Sequence, residues 1–343
     1  MQYKIKKPSR LLNKRGELIQ KGYATSPILK YIRKDAAHKT QLKEWDYYLI
    51  YNEECVIALT VAKSITFVLV NASLIDLKSK KQIIKNTVGI KSEKAFSMPE
   101  SSEVGDIYFE DAATKVAFLH QGCNRQLKFY SNSFLEKEDL DIEFELSPEP
   151  KDSMVIATPF KEKKTLFYYN QKIIGMRASG KVTVGKKTYQ FLPCNSYAIL
   201  DWGRGCWPYH TTWYWSAAQS MIGNDLFGFN LGYGFGDTSK ATENMLFMNG
   251  IASKLEKVTF HIPQNKKKEY QYLEPWHITS SDGRLEMIFE PILDRSANLS
   301  ILVFSTNQHQ VFGRFSGAAI LDDGTIVFVQ DLLGFAERVE NRW

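Results

Sequence analysis

The chain lacks most of the short motifs that give an enzyme's chemistry away. Its four cysteines, Cys55, Cys123, Cys194 and Cys206, are widely spaced and form no C-x-x-C pair, which argues against a disulfide framework or a zinc ribbon. The six histidines show neither H-x-H nor H-E-x-x-H spacing, so no metal and no other cofactor is expected. There is no G-x-S-x-G elbow, and only Cys206 has a histidine, His210, close in sequence. Gly232-Tyr233-Gly234-Phe235-Gly236 is rich in glycine but is not G-x-G-x-x-G. It excludes a nucleotide site and reads as a loop over an opening or a tight barrel corner. No apolar run nears the roughly 18 residues that span a bilayer, and no signal-peptide pattern opens the chain. The expectation is a cytoplasmic protein without a transmembrane segment. Helical patterning is scarce too, confined to residues 26–37 and 332–341.

What is present is strand. The 343 residues exceed one ordinary core, and 44% apolar with 13% aromatic residues is enough to fill more than one. Residues 45–51 (W-D-Y-Y-L-I-Y), the Asn52-Glu53-Glu54 turn and residues 55–61 (C-V-I-A-L-T-V) predict a hairpin. Residues 65–70 continue the pattern. Residues 139–146 (D-L-D-I-E-F-E-L) alternate with period two, and Asp322-Asp323-Gly324 is a hairpin turn. Many short strands at about ten-residue spacing define an all-β sandwich or barrel class. Two tandem barrels and one large twisted double sheet both fit. Pro148 and Pro150 cannot sit inside a sheet, so the expected organisation is an arm over 1–43 and domains over 44–150 and 151–343.

The net charge of +6 is unevenly placed. Twelve Lys or Arg against Glu17 and Asp35 give residues 1–43 a net +10, leaving −4 on the remaining 300. The arm is a solvated segment or a partner for an acidic patch on the body. Peripheral membrane contact through it stays open; nucleic acid is not expected, because no binding motif accompanies the charge.

Four of the seven tryptophans lie in residues 201–215. Trp202, Trp207, Tyr209, Trp213 and Trp215, with Asp201 and Arg204, are the materials of a flat-walled pocket with a few fixed polar groups. Asp201 and Arg204 form a structural bridge in a tight glycine loop, or Arg204 holds an anionic head group. In a strand over 211–217, Trp213 and Trp215 share a face with Thr211, and Tyr214 takes the other. Tyr168, Asn170 and Lys172 also share a face, most simply a solvent-exposed one, alternatively a polar patch in a barrel mouth. Candidate acid–base groups are Asp201, Glu243, Glu290, Asp294, Glu337 and His277, which sequence cannot pair in space.

Leu200-Asp201-Trp202-Gly203-Arg204-Gly205-Cys206-Trp207-Pro208-Tyr209 resembles the signature of the domain of unknown function 2804 family. Residues 43–48 (K-E-W-D-Y-Y), 167–172 (F-Y-Y-N-Q-K), 312–317 (F-G-R-F-S-G), 334–337 (G-F-A-E) and Arg342-Trp343 add support. That family is distantly similar to lipocalin-like double-barrel proteins such as carotenoid hydratases and tocopherol cyclases. The resemblance implies two tandem calycin-like antiparallel barrels with short helices only near the termini, and it implies no reaction. The leading expectation is therefore a protein that binds a small apolar or amphipathic, lipid-like or isoprenoid-like ligand near residues 201–215. The alternatives are a cofactor-independent hydratase, cyclase or isomerase, and a carbohydrate-active or carbohydrate-binding protein.

Overall fold

The computed structural model describes residues 2–64, 67–89, 96–135, 138–301 and 304–342. Ile65 and Thr66 of the expected 65–70 strand, and Trp343, lie outside them. Strand makes up 64% of the described residues. Among the described residues the helical segments are two 3₁₀ turns, Arg33–Asp35 and Lys39–Gln41. The helical spacing at 332–341 is overturned: these residues belong to the strand Ile326–Arg342, paired on both sides. Cross-strand pairing outweighs a weak amphipathic period there. No helix among the described residues is long and apolar enough to cross a membrane.

The strands form two large antiparallel sheets that curl as the half-barrels of a lipocalin-like double barrel. In the first, Lys81–Gly89, Val68–Asp76, Cys55–Lys63 and Leu42–Tyr51 run as a meander, and Leu42–Tyr51 pairs Tyr197–Cys206. Beyond it come Phe167–Val184, Glu138–Leu146, Asn124–Leu135, Thr114–Gln121 and Ile107–Glu110. The expected 45–61 hairpin is present, and Glu138–Leu146 buries its apolar face and exposes its acids. Phe167–Val184 is one strand with a register shift between Ile173 and Met176, where Gly175 has φ +116°. The bulge bends it so that one end pairs Met154–Pro159 and the other Glu138–Leu146.

The 147–152 segment lies between strands of this same sheet, since Glu138–Leu146 pairs Phe167–Val184 across it. The chain changes sheets at residues 207–209. The second sheet runs Ile251–Lys254, Met245–Met248, Asp225–Tyr233, His210–Ile222, Ile326–Arg342, Phe304–Ile320, Leu285–Ile301, Trp276–Ser280 and Val258–His261. Gly324, at φ +86°, turns the hairpin between Phe304–Ile320 and Ile326–Arg342.

The basic arm packs on this body. Gly22–Ala24 adds to Met154–Pro159, while the Tyr3 amide donates to the Lys240 carbonyl at 2.7 Å. Gln2 bonds Thr242 and the Leu255 carbonyl. Ile5, Leu11, Leu12, Leu29 and Tyr31 are buried, so the arm ties the first sheet to the 240–255 region of the second.

Candidate functional site

The two sheets face each other across a cavity of about 260 Å³. Strand alternation decides which side chains reach it. On Tyr197–Cys206, Asp201, Gly203 and Gly205 point towards the cavity, and Trp202, Arg204 and Cys206 point the other way. Asn170, Gly203 and Trp45 stand in register across three strands; Lys172, Asp201 and Tyr47 form the next row. A Cβ at Gly203 would sit inside the Trp45 indole. Gly203 thus lets Trp45 lie against the strand, whereas a Cβ at Gly205 would meet the Phe167 carbonyl.

The walls are aromatic: Trp45, Tyr47, Tyr168, Trp207, Trp213, Trp215 and Phe235. Trp45 and Tyr168 lie nearly parallel, 13° apart with centroids at 6.1 Å. Phe235 comes from the glycine-rich 232–236 loop, where Gly234 and Gly236 take φ of +92° and +79°. Its ring meets Phe160, Tyr168, Trp207 and Trp213 edge to face.

The floor is ionisable. Lys172 is 3% exposed. Its ammonium lies 2.9 Å from Asp201 Oδ1 and 3.8 Å from the centre of the Trp215 ring. Asn170 Nδ2 donates to Asp201 Oδ1 at 2.6 Å and to the Trp202 carbonyl at 2.8 Å. Two acceptors on one nitrogen fix the orientation of that amide. Glu337 reaches the floor from the second sheet, where it stands opposite both Trp215 and Gln310. It accepts hydrogen bonds from Trp213 Nε1 at 2.9 Å and Gln310 Nε2 at 3.0 Å. Arg295 Nη1 holds the other end of the Gln310 amide at 2.8 Å. Glu243 is the third carboxyl. Gly232 makes room for it, because a Cβ there would stand 3.2 Å from Glu243 Oε2.

Burial pushes the Glu243 carboxyl up to about 7; the Lys172 charge draws it down, and Asp201 raises it further. Burial likewise raises Glu337 to about 7 against its two N–H donors. Tyr168 is held well above the ordinary phenol value by burial and by Glu243, Asp201 and Glu337. Tyr47 is raised by burial to about 12. Lys172 is the ammonium that acts on both glutamates, and with each raised to about 7 the floor exchanges protons around neutrality. Among the described residues no three His, Cys, Asp or Glu side chains are grouped to hold a metal ion.

Three of the six acid–base candidates therefore meet: Asp201, Glu243 and Glu337. Glu290 is exposed on Leu285–Ile301, opposite Arg314. Asp294 pairs with His309 at 2.7 Å, and His277 with Glu286 at 3.2 Å, both away from the cavity. Trp207, Trp213, Trp215, Tyr168 and Lys172 line it, and Asn170 supports it from beneath. The simplest expectation for Tyr168, Asn170 and Lys172, solvent exposure, is corrected, since all three are buried between the sheets.

Trp202 and Arg204 do not line the cavity. Three positions separate Arg204 from Asp201, which places them on opposite faces. Arg204 pairs instead with Asp46 at 2.9 Å and donates to the carbonyls of Trp45 and Pro99. Tyr209 is 50% exposed where the chain changes sheets. The sequence reading missed Trp45, Tyr47, Phe235 and Gln310. The W-x-Y alternation of the 45–51 strand carried a signal for the first two. Gln310 is placed by a pairing no local pattern encodes.

The sequence profile of a family described as "Domain of unknown function (DUF2804)" matches residues 2–343. No curated protein matches the chain. Two solved structures share its architecture. One, from Nitrosomonas europaea, is provisionally assigned as AttH; at 12% identity and a TM-score of 0.55 the match covers 90% of this chain and 96% of that one. The other is kievitone hydratase from Nectria haematococca, also 12% identical, with a TM-score of 0.52 and coverage of 98% and 97%. At that identity the likeness is one of fold.

Proposed function

The chain belongs to the DUF2804 family, and from that premise we propose that its inter-sheet cavity binds a small, mainly apolar molecule and moves protons on it without a cofactor. The reaction class is hydration, isomerisation or cyclisation. One observation carries this reading: Lys172, Asp201, Glu243 and Glu337 are buried together on the floor of an otherwise aromatic cavity. Burying four ionisable groups costs stability that apolar side chains would not, and a plain carrier of an apolar ligand has no use for them. Similarity of fold to a hydratase is in keeping with it.

The two glutamates differ in a way that suggests roles. Glu337 accepts two N–H donors, which favour its ionised form and suit a base. The Glu243 carboxyl accepts no hydrogen bond from a described residue, so nothing but charge offsets the burial that raises it to about 7, which suits an acid. The Lys172–Asp201 pair acts electrostatically on both and sets the local field.

The test is incubation of the protein with a small-molecule cell extract in D₂O, followed by mass spectrometry. The expected result is one compound consumed and a product carrying solvent deuterium, lost with Glu243→Gln and Glu337→Gln. A compound bound one to one and recovered unchanged would make the protein a carrier instead.

A further inference from the structure

We propose that the cavity floor is built to receive an acceptor oxygen on a planar conjugated ligand (a phenol, an enol or an enone) rather than a cation or a bare hydrocarbon. The inference rests on the reading of this cavity as a ligand site.

Lys172 is the first observation. Its ammonium carries three N–H donors, yet among the described residues it has one oxygen partner, Asp201 Oδ1. A second direction is taken by the face of Trp215. At least one donor is left facing the cavity that Lys172 lines. A buried charge with unused donors is costly, and a ligand oxygen offsets that cost.

Tyr168 is the second. Its hydroxyl makes no hydrogen bond to any described residue, and its phenol stays protonated, so it too is a donor. It interacts with Asp201, Glu243 and Glu337, and Lys172 interacts with both glutamates. Both donors therefore serve the same floor.

The walls exclude the alternatives. The Trp215 and Trp207 faces already hold cations of the protein itself, Lys172 at 3.8 Å and Lys43 at 4.5 Å. A cationic ligand would have to displace Lys172 from the Asp201 carboxylate and the Trp215 face that it already occupies. A hydrocarbon would leave the Lys172 and Tyr168 donors unmet. The near-parallel Trp45 and Tyr168 rings suit a flat molecule.

The experiment is calorimetric titration of the full chain at pH 7 with three probes of one shape: 2-naphthol, naphthalene and 2-naphthylmethylammonium. The naphthol is expected to bind at least about tenfold tighter than the other two. Lys172→Met should erase that preference while naphthalene affinity is kept; Tyr168→Phe should reduce it. If Lys172→Met does not fold, Tyr168→Phe decides alone. Equal binding of naphthalene and naphthol, tighter binding of the ammonium, or a preference that survives both substitutions overturns the oxygen site and leaves the cavity reading standing. Failure of all three probes to bind overturns both.

Discussion

The first sheet buries charge on both of its faces at the Tyr197–Cys206 strand, and the two faces handle it differently. On the side of Trp202 and Arg204, each cation has an acid. Arg204 is paired with Asp46, Arg33 with Glu44, and Arg125 with Glu149. The remaining guanidinium donors of Arg204 and Arg125 go to backbone carbonyls, to Tyr48 and to His120. Main-chain groups of the 97–102 segment close over this network. On the side of Asp201, one lysine meets three carboxyls, and Glu243 and the Tyr168 hydroxyl keep unused hydrogen-bonding capacity facing a cavity. Cations each matched to an acid mark structure, even though Trp202 Nε1 and His120 Nδ1 have no hydrogen-bond partner there among the described residues; surplus acid beside open space marks a site.

The contrast breaks if the balanced face tolerates substitution. Arg204→Ala would leave Asp46 buried without its guanidinium partner, an arrangement that costs about 3–5 kcal/mol. The expected outcome is a large fall in the urea midpoint, or failure to accumulate soluble protein. Lys172→Met, on the cavity face, removes the cation beside Asp201, but Asn170 Nδ2 still donates to that carboxylate at 2.6 Å. Glu243 and Glu337 can take up protons in compensation, and an apolar chain is left against Trp215, so the variant should still fold with a smaller loss than Arg204→Ala. A urea titration of both variants decides. A mild Arg204→Ala and an unfolded Lys172→Met would reverse the assignment of the two faces.

Part of this was legible in the strand sequence. The D-W-G-R-G-C-W block stood out, period-two alternation separates Asp201 from Arg204, and the 322–324 turn and the 45–61 hairpin followed from local chemistry. The pairing of Arg204 with Asp46 was not legible, since it depends on Leu42–Tyr51 lying beside a strand some 150 residues away. Nor was the gathering of Asp201, Glu243 and Glu337, which come from two sheets and a loop. Pro148 and Pro150 stand in a connection, as their chemistry requires, and the bulged strand beyond it pairs back with Glu138–Leu146 in one sheet, a pairing that no local pattern encodes. A run such as residues 332–341, with its small and charged residues, has no strong local preference until neighbours pair with it.

Titration sharpens the comparison further. Glu243 and Glu337 stand near 7 in the folded protein and near the ordinary carboxylate value when unfolded. The folded state therefore binds more protons between roughly pH 4.5 and 7, and stability falls as pH rises through that window, then levels off. Each group accounts for a loss of up to about 3 kcal/mol. Glu243→Gln and Glu337→Gln should each flatten the curve and raise the thermal midpoint at pH 8 relative to the parent. A parent curve that instead rises from pH 5 to 7, unchanged in both variants, would show that neither carboxyl is held protonated by the fold.

Gly203→Ala gives the smallest effect on stability and the most local one, because it acts on the cavity face without touching a charge. The added methyl must displace the Trp45 indole, which rests on the strand at that point. Trp45 can swing into the cavity, so the cost is that of overpacking, about 1–3 kcal/mol, rather than that of an unpaired charge. The swing would narrow the space between Trp45 and Trp213 while leaving Arg204, Asp46 and Glu44 on the far face undisturbed. Binding of 2-naphthol should then weaken far more than stability falls, and the two readouts should separate. If stability collapses while the remaining folded protein binds normally, Gly203 serves the strand rather than the cavity, and the glycines of the D-W-G-R-G block belong with the structural face.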